Sequence, residues 1–415
     1  MQRARNHDET NHQIGGTTCI SPYLMLLMLS CFMYLVPFFL KLLHKDCSLA
    51  RSLTLSFSLI RYTERPGAAM EEAIVLYPSP PIGHLISMVE LGKLLLTHQP
   101  SLSVHILITS VPYDSGSTAP YIANVAATIP SIKFHHLPTV TLPSTKTNNY
   151  EQIIFDVLRL SNPLVREELL SISKNYTVHG LVVDVFCWAA LSVAKELNIP
   201  GYHFSSSGAG ILAVFFYFPT IHNTTTKSLK DLKTLLHIPG VPPIPSSDMP
   251  TPVLDRDDKS YDYFLDSSRS FPESAGIIIN TFESLESRAV KTASEGLCVP
   301  NDRTPPIYCI GPLIATEGHK NDGGTRNGAA LECLTWLDSQ PVEEMKLALP
   351  MRESESGFVS AAEVEERVRG LMESEEGKLI RERTVGMKIA AKVASSEGGS
   401  SRVALSKLVE SWKDK

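Results

Sequence analysis

Paired cysteine motifs are missing from this sequence. Its seven cysteines are scattered over 415 residues, are odd in number and include no C-x-x-C pair. Neither a disulfide framework nor a zinc site is therefore supported, and a reducing compartment fits best. An excess of basic residues is missing as well, since 38 lysines and arginines stand against 44 aspartates and glutamates. This balance gives no indication of a nucleic-acid partner and is typical of a globular protein.

Two catalytic signatures are also absent. No G-x-G-x-x-G sequence opens the first predicted strand–helix unit, which weakens a dinucleotide-binding interpretation. No G-x-S-x-G elbow supplies a nucleophilic serine. His135 and His136 are adjacent and point to opposite faces of a predicted strand, which argues against one shared metal site. The sequence thus predicts no metal and no dinucleotide cofactor.

The stretch from Ala73 to Leu96 carries the strongest pattern in the chain. Five apolar residues, Ala73 to Tyr77, are typical of a strand buried on both faces. A PSPPIGH turn follows, and apolar residues then recur at the period of an amphipathic helix. This strand, loop and helix predict the opening βα unit of a doubly wound sheet, where ligands bind beyond the carboxyl ends of the strands. His84 lies at that edge.

His84 has two interpretations. It can be a helix-start residue that caps or packs locally, or it can accept a proton from a substrate, because an imidazole titrates near neutral pH. The second interpretation needs a partner for the ring. Another buried-strand run, Leu181 to Val183, ends in Asp184 near the same sheet edge. A buried carboxylate is costly unless it is paired, so we predict a His84–Asp184 dyad that activates a hydroxyl brought by the substrate.

Strands and helices alternate regularly after Met70. Further strands are predicted over residues 104–111, 132–138, 200–207, 276–282 and 306–312, and helices over residues 153–169, 188–197 and 208–218. Prolines interrupt the pattern between residues 219 and 260, which form either an ordered excursion or a mobile loop. Phe215, Phe216 and Phe218 line either a ligand pocket or the core. The pattern as a whole predicts an α/β fold with a parallel sheet.

Several motifs, in order, resemble those of the plant UDP-glycosyltransferases of secondary metabolism, which form glycosyltransferase family 1. The motifs are PSPPIGHLISMVELGKLL, GLVVDVFCWAALSVAKELNIPGYHFSSSGA, GIIINTFESLE, IYCIGPL and LECLTWLDSQP. The resemblance runs from Met70 to Pro341, resumes at about Val342, and is greatest to the branch that glucosylates chalcones, dihydrochalcones and flavonoids. It implies a GT-B-like fold, in which a first Rossmann-like domain holds the acceptor and a second holds the nucleotide sugar.

The resemblance also implies roles for individual residues. His84 matches the general base on the acceptor hydroxyl, and Asp184 matches its partner. The other matching positions are acceptor-binding at Ile82, Phe186, Trp188 and Phe216, and donor-binding at Gly83. The implied reaction transfers a hexose, expected to be glucose, from a UDP-sugar to a phenolic hydroxyl with inversion. The UDP-sugar is a co-substrate rather than a cofactor, and a cytoplasmic monomer is expected.

The donor half of the resembled family is largely missing from this chain. After WLDSQP the family continues with several βα units and a donor box similar to H-C-G-W-N-S, which ends in an acidic residue followed by Gln. Here no His follows His319, no Cys follows Cys333 and no Gln follows Gln340. UDP-sugar binding is therefore expected to be impaired or lost and the chain inactive. The alternative is a non-catalytic remnant or an acceptor-binding pseudoenzyme.

These matches divide the chain into four expected parts. Residues 1–69 are an atypical N-terminal extension, residues 70–314 the acceptor-binding domain, residues 315–341 a linker with the start of the donor domain, and residues 342–415 the residual helices of the donor domain. The extension contains an uncharged apolar segment, residues 20–40, of about the 20 residues needed to span a bilayer. It is either a signal anchor that holds the body on the cytosolic face of the endoplasmic reticulum, or upstream sequence translated through a gene-model error.

The residual part is predicted to be helical. Ser360 and Glu363 are spaced as a capping box, and Gly398 and Gly399 separate a middle helix from a final one. In the resembled family the last helix returns to the first domain, whereas the two before it cover the second sheet. Without that sheet, we expect the apolar stripes of these two helices to lack a surface to pack on.

Overall fold

The computed structural model describes residues 70–111, 118–142, 149–300, 302–314 and 358–413, together with a few positions between 347 and 354. The predicted extension with its apolar segment 20–40 and the predicted linker 315–341 lie outside these ranges. Among the helices within them, none is both long enough and apolar enough to cross a membrane.

A seven-stranded parallel sheet forms the centre of the fold, with the strand order β3-β2-β1-β4-β5-β8-β9. The strands in chain order are Glu71–Tyr77 (β1), Ser103–Ile108 (β2), Ile132–His136 (β3), Tyr176–Asp184 (β4), Gly201–Ser205 (β5), Leu235–Leu236 (β6), Ile244–Pro245 (β7), Gly276–Ile279 (β8) and Ile307–Cys309 (β9). Strands β6 and β7 form a separate antiparallel pair. Every residue of β2 and β8 is buried, as expected for a sheet covered on both faces.

Twelve α-helices are described around this sheet. They are Ile82–His98 (α1), Thr118–Thr128 (α2), Tyr150–Leu160 (α3), Asn162–Ile172 (α4), Leu191–Glu196 (α5), Ala209–Thr224 (α6), Leu229–Leu232 (α7), Lys259–Ser270 (α8), Ser287–Ser294 (α9), Ala361–Glu373 (α10), Glu375–Ser395 (α11) and Ser400–Glu410 (α12). Helices α1, α2 and α12 pack on one face of the sheet, and α3, α4, α6 and α8 supply the core on the other. The predicted α/β class with a complete parallel sheet is confirmed.

Two of the predicted helices are interrupted. The pattern over residues 153–169 is divided at Ser161 into α3 and α4, and Pro163 occupies the first turn of α4, where a proline is tolerated. The helix predicted over residues 188–197 is a 3-10 helix, Val185–Ala190, followed by the short α5. Asp184 caps the 3-10 helix, so the chain becomes helical at Val185, three residues before the start predicted from the apolar pattern.

The proline-rich stretch is an ordered excursion, which corrects the expectation that the helical pattern stops at Phe218. Helix α6 passes through Pro219 and ends at Thr224, because Phe218 and Ile221 on either side of the proline are buried in the core. The small β6–β7 pair, short 3-10 turns and α8 then follow.

The three C-terminal helices have different surroundings. On α12, Leu405 and Leu408 are fully buried against the sheet and α1. Hydrogen bonds also hold α12, since Ser401 Oγ donates to the carbonyl oxygen of Gly311 at 2.6 Å. Helix α10 has no buried residue, and on α11 only a few small contacts, such as Ala391 against Phe282, reach the first domain. Apolar side chains on both helices are 50–60% exposed, including Val368, Met372, Val385, Ile389 and Val393.

The predicted capping box is only half formed. Ser360 Oγ accepts the backbone N–H of Glu363 at 3.1 Å, as the pattern requires. The Glu363 carboxylate does not return to Ser360 in the described structure; it accepts the N–H of Arg352 at 2.9 Å and pairs with Arg367 at 2.6 Å. Both of these bonds use Oε1 of Glu363.

Buried neutral histidines make the fold sensitive to acid. Burial lowers the pKa of His203, on β5, to about 3, and burial together with His135 lowers the pKa of His105, on β2, to about 4. An unfolded histidine titrates near 6.5, so below that pH the unfolded chain binds more protons than the folded one. The stability that comes from keeping these two histidines neutral is therefore complete above about pH 6.5, and it decreases as the pH falls toward their folded-state pKa values.

We expect the free energy of unfolding to fall by about 1.4 kcal/mol per pH unit for each of these histidines below pH 6.5. Urea unfolding at several pH values measures this slope. In His203→Phe, whose ring retains an aromatic contact with Phe271, the slope should be smaller than in the natural chain. An identical slope in the variant would show that His203 is not a source of the acid sensitivity.

Candidate active site

The loop after β1 places His84 at the carboxyl edge of the sheet. Strand β1 ends at Tyr77, and prolines at positions 78, 80 and 81 lead the chain into α1, which begins at Ile82. The backbone N–H of His84 donates to the carbonyl oxygen of Pro81 at 2.9 Å, so His84 lies in the first helical turn. Strand β4 is the neighbour of β1, and its Val183 pairs with Tyr77. Asp184 follows directly and therefore faces the same loop.

The predicted pair is in contact. His84 Nδ1 and Asp184 Oδ2 are 2.7 Å apart, with 11% and 1% of the respective side chains exposed. The second carboxylate oxygen, Oδ1, accepts the backbone N–H of Phe186 at 3.1 Å. Both oxygens of the buried carboxylate are thus hydrogen-bonded, which removes the cost of an unpaired charge in the interior.

This geometry fixes the direction of the imidazole. When Nδ1–H donates to Asp184, the neutral ring carries its lone pair on Nε2, the nitrogen that makes no hydrogen bond within the described ranges. Nε2 can then accept a proton, and the carboxylate stabilises the imidazolium that results. The arrangement is chemically suited to deprotonating a hydroxyl.

Phe186 forms an aromatic wall beside the dyad. Its ring lies edge-on to His84, with ring centroids 5.4 Å apart. Phe186 also contacts Phe155 and Phe264, at 5.6 and 5.7 Å between ring centroids. An uncharged aromatic surface next to a base favours a planar apolar substrate.

The other predicted site residues have varied positions. Ile82 lines a cavity at the carboxyl ends of β1, β2 and β3, and a Cβ added at Gly83 would meet open space. Trp188 is half-buried at the margin of the core. Phe216 is only 3% exposed and packs edge-on against Phe271, with ring centroids 5.4 Å apart, so its position is one of core packing. The binding roles of these four residues remain predictions.

A cavity of about 280 Å³ opens at the carboxyl ends of β1, β2 and β3. It is lined by Pro78, Ser79, Pro80, Pro81, Ile82, Leu85, Ile108, Thr109, Ser110, Val111, Thr118, Ala119, Ile122, His136 and Tyr150. His84 and Asp184 are not part of this lining. Apart from Ile82, the residues that line the cavity were not predicted from the sequence, although their places at the ends of adjacent parallel strands are the signal that could have indicated them.

Other reactive groups near the dyad have structural surroundings. Cys187 is 1% exposed, and burial beside Asp184 raises the pKa of its thiol well above the ordinary value, so it remains protonated and a poor nucleophile. Within the described residues there is no group of three or more His, Cys, Asp or Glu side chains that could hold a metal ion. Of the groups described at this edge of the sheet, the His84–Asp184 dyad is therefore the one suited to proton transfer.

Two known plant proteins are similar to this chain in sequence. UDP-glycosyltransferase 88B1 of Stevia rebaudiana is 35% identical over an alignment of 465 residues, which takes in 82% of this chain and 99% of the relative. A phloretin 2'-O-glucosyltransferase of Malus domestica is 40% identical over 73% of this chain and 63% of its own length. No protein-family model matches the chain.

Solved structures agree in fold. A UDP-glucosyltransferase from Polygonum tinctorium capable of glucosylating indoxyl superposes with a TM-score of 0.72 at 22% identity, over 84% of this chain and 100% of that one. Its likeness concerns the fold, whereas the Stevia relative matches over 99% of its own length at 35% identity. Together with the dyad at the sheet edge, these matches show that the chain belongs to the plant UDP-glycosyltransferases.

Proposed function

We propose that this chain carries the acceptor half of an inverting glucosyltransferase that acts on phenolic hydroxyls. The observation that supports this most is the 2.7 Å hydrogen bond between His84 Nδ1 and Asp184 Oδ2, which leaves Nε2 as a base at the carboxyl edge of the sheet. The Malus relative, named for glucosylation of phloretin, supports a phenol as acceptor.

In the complete reaction, His84 Nε2 takes the proton of the phenolic hydroxyl as that oxygen attacks the anomeric carbon of UDP-glucose. The new bond joins the acceptor oxygen to the anomeric carbon, and the bond from that carbon to the diphosphate breaks, releasing UDP. A single displacement of this kind inverts the anomeric configuration. Asp184 stabilises the imidazolium formed on His84 and keeps the ring in place.

We further propose that this polypeptide does not complete the reaction by itself. The alignment to the Stevia relative is 465 residues long, longer than the 415-residue chain, so it passes over a stretch that the relative has and this chain lacks. That stretch would include the donor box missing after Pro341. Without donor contacts the sugar is not held in line with the acceptor oxygen, and such positioning contributes about 7–11 kcal/mol in favourable cases.

The second candidate function is binding without catalysis. An intact dyad, the Phe186 wall and the neighbouring cavity all belong to the described first domain, which supports retention of a phenolic ligand. The enzymatic proposal requires UDP-sugar only as a co-substrate, and both proposals place a monomer in the cytosol. Residues 20–40, if they act as an anchor, would attach the body to the endoplasmic-reticulum membrane with the same cytosolic orientation.

The natural chain and a protein with a restored donor segment are expected to give opposite results in a transfer assay with UDP-glucose and phloretin. The chain as it stands should release no UDP and form no glucoside, and a titration should show no saturable UDP-glucose binding at millimolar ligand. A protein with the corresponding segment of an intact relative inserted between Pro341 and Val342 should form the glucoside. Tight, saturable binding of UDP-glucose by the unmodified chain would refute the loss of the donor site. If the restored protein glucosylates no phenol in a panel, the enzymatic proposal is wrong.

A further inference from the structure

Ser267 lies on α8, and its hydroxyl group bonds outside that helix. A serine hydroxyl within a helix can bond to a carbonyl group one turn back, as Ser270 Oγ does when it donates to the carbonyl oxygen of Ser267 at 2.7 Å. Ser267 Oγ instead donates to the carbonyl oxygen of Val185 at 2.8 Å, across 82 residues of sequence. The bond therefore joins α8 to the 3-10 helix that follows Asp184.

The carbonyl group of Val185 belongs to the same peptide group as the backbone N–H of Phe186. That N–H donates to Asp184 Oδ1 at 3.1 Å, and the other carboxylate oxygen, Oδ2, is 2.7 Å from His84 Nδ1. One peptide group thus accepts a hydrogen bond from Ser267 at its oxygen and donates one to Asp184 at its nitrogen. A continuous chain of hydrogen bonds links the Ser267 hydroxyl to the imidazole ring of His84.

The surroundings of this chain strengthen its bonds. A donor at the oxygen of an amide polarises the amide and makes its N–H a stronger donor, and the low dielectric of a protein interior increases each electrostatic contribution. Ser267 and Asp184 are 0% and 1% exposed, so the peptide group is held between two buried partners. The Ser267 hydroxyl therefore fixes the plane of this peptide group and strengthens the bond from Phe186 N–H to Asp184.

Helix α8 also holds the side chain of Phe186. Phe264 lies one turn before Ser267 on α8, and its ring contacts the Phe186 ring with centroids 5.7 Å apart. The Phe186 ring lies edge-on to His84, with ring centroids 5.4 Å apart. The same helix thus contacts both the backbone that bonds Asp184 and the aromatic ring beside His84.

From these contacts we infer that Ser267 is a positioning residue for the His84–Asp184 dyad. Its hydroxyl orients and polarises the Phe186 N–H, this N–H holds Asp184 Oδ1, and Oδ2 is thereby kept directed at His84 Nδ1. Ser267 itself takes no part in proton transfer. The inference rests on the proposed function, since the role of the dyad as a base belongs to that proposal.

NMR spectroscopy of the full chain tests the inference without catalysis. In Ser267→Ala the amide proton of Phe186 should move upfield, because a weaker hydrogen bond deshields it less. This proton and the Nδ1–H of His84 should exchange with solvent about 2- to 12-fold faster, the usual worth of one hydrogen bond. Ser267→Cys, whose thiol is a weaker donor, should give smaller changes of the same sign. Ser268→Ala is the matched control, because Ser268 is the next residue on α8 and its buried hydroxyl bonds to no described residue.

Kinetics of the protein with the restored donor segment connect the inference to turnover. Ser267→Ala should lower kcat by about 2- to 12-fold and leave the KM for UDP-glucose nearly unchanged, because the effect is confined to the base. In an Asp184→Ala background the same substitution should have almost no further effect, since the carboxylate through which Ser267 acts is gone. An equal loss of kcat in both backgrounds would identify a purely structural serine and overturn the inference.

The outcomes separate this inference from the proposed function. An unmoved Phe186 resonance in Ser267→Ala, or an equal shift in Ser268→Ala, overturns the inference even if the restored protein glucosylates phenols. A shift confined to the Ser267 variants, together with no glucoside formation by the restored protein, supports the positioning of Asp184 and contradicts the enzymatic proposal. Thermal unfolding of each variant confirms that it is folded, and Ser267→Cys carries the test if Ser267→Ala is not.

Discussion

Replacing His84 by alanine is expected to lower turnover of a phenolic acceptor by about 10²- to 10⁴-fold, the usual contribution of a positioned general base. The experiment uses the protein with a donor segment restored between Pro341 and Val342. UDP-glucose affinity should be nearly unchanged, because the imidazole acts on the acceptor oxygen. Steady-state kinetics separate the two effects, since loss of the base lowers kcat rather than raising the KM for the donor.

Two further variants sharpen this test. Asp184→Asn keeps the shape of the side chain but removes the charge that stabilises protonated His84, so turnover should also fall. His98→Ala, at the opposite end of α1, is the matched control and should retain turnover. Acidic phenols, which are already partly ionised, should lose least in the His84 variant. If His84→Ala instead keeps its turnover number but no longer binds the acceptor, the histidine is a wall of the pocket.

The C-terminal helices provide the second large effect. Leu408, on α12, is fully buried against the sheet and α1, whereas Ile389, on α11, is 57% exposed. Leu408→Ala should therefore destabilise the protein by about 2–5 kcal/mol, because it removes buried methyl groups and leaves a cavity. Ile389→Ala should change stability by less than about 0.5 kcal/mol.

Chemical unfolding of the two variants measures this difference directly. Both are substitutions of a branched aliphatic residue by alanine within a C-terminal helix, so helix propensity changes little between them. Similar losses of stability in the two would mean that α11 is covered in solution by another surface. Such a result would contradict the exposed stripe seen on α10 and α11.

The strands of the parallel sheet and the meeting of His84 with Asp184 followed from local patterns. Short apolar runs predict strands buried on both faces of a sheet. Parallel strands bring their carboxyl ends, and the polar residues that follow them, to one edge of that sheet. Strand β1 and strand β4 are far apart in sequence, but the doubly wound topology makes them neighbours. The contact was therefore predictable, although its 2.7 Å distance and the extra hydrogen bond from Phe186 were not.

Other features depended on contacts that a sequence pattern does not contain. Pro219 does not end α6, because the packing of Phe218 and Ile221 outweighs the hydrogen bond that the proline lacks. The 3-10 helix after Asp184 arises from the carboxylate cap on Phe186 N–H, which competes with the regular helical period.

The packing of α12 has a consequence for synthesis of the protein. Ser401 bonds to Gly311 across 90 residues of sequence, and Leu405 and Leu408 fill the face of the sheet beside α1. While the ribosome is still translating the stretch between them, the nearly finished sheet has an uncovered apolar face. Such nascent surfaces bind chaperones and are prone to aggregation. The first domain thus completes its folding only after α12 has left the ribosome, and the intervening translation time is a period of vulnerability.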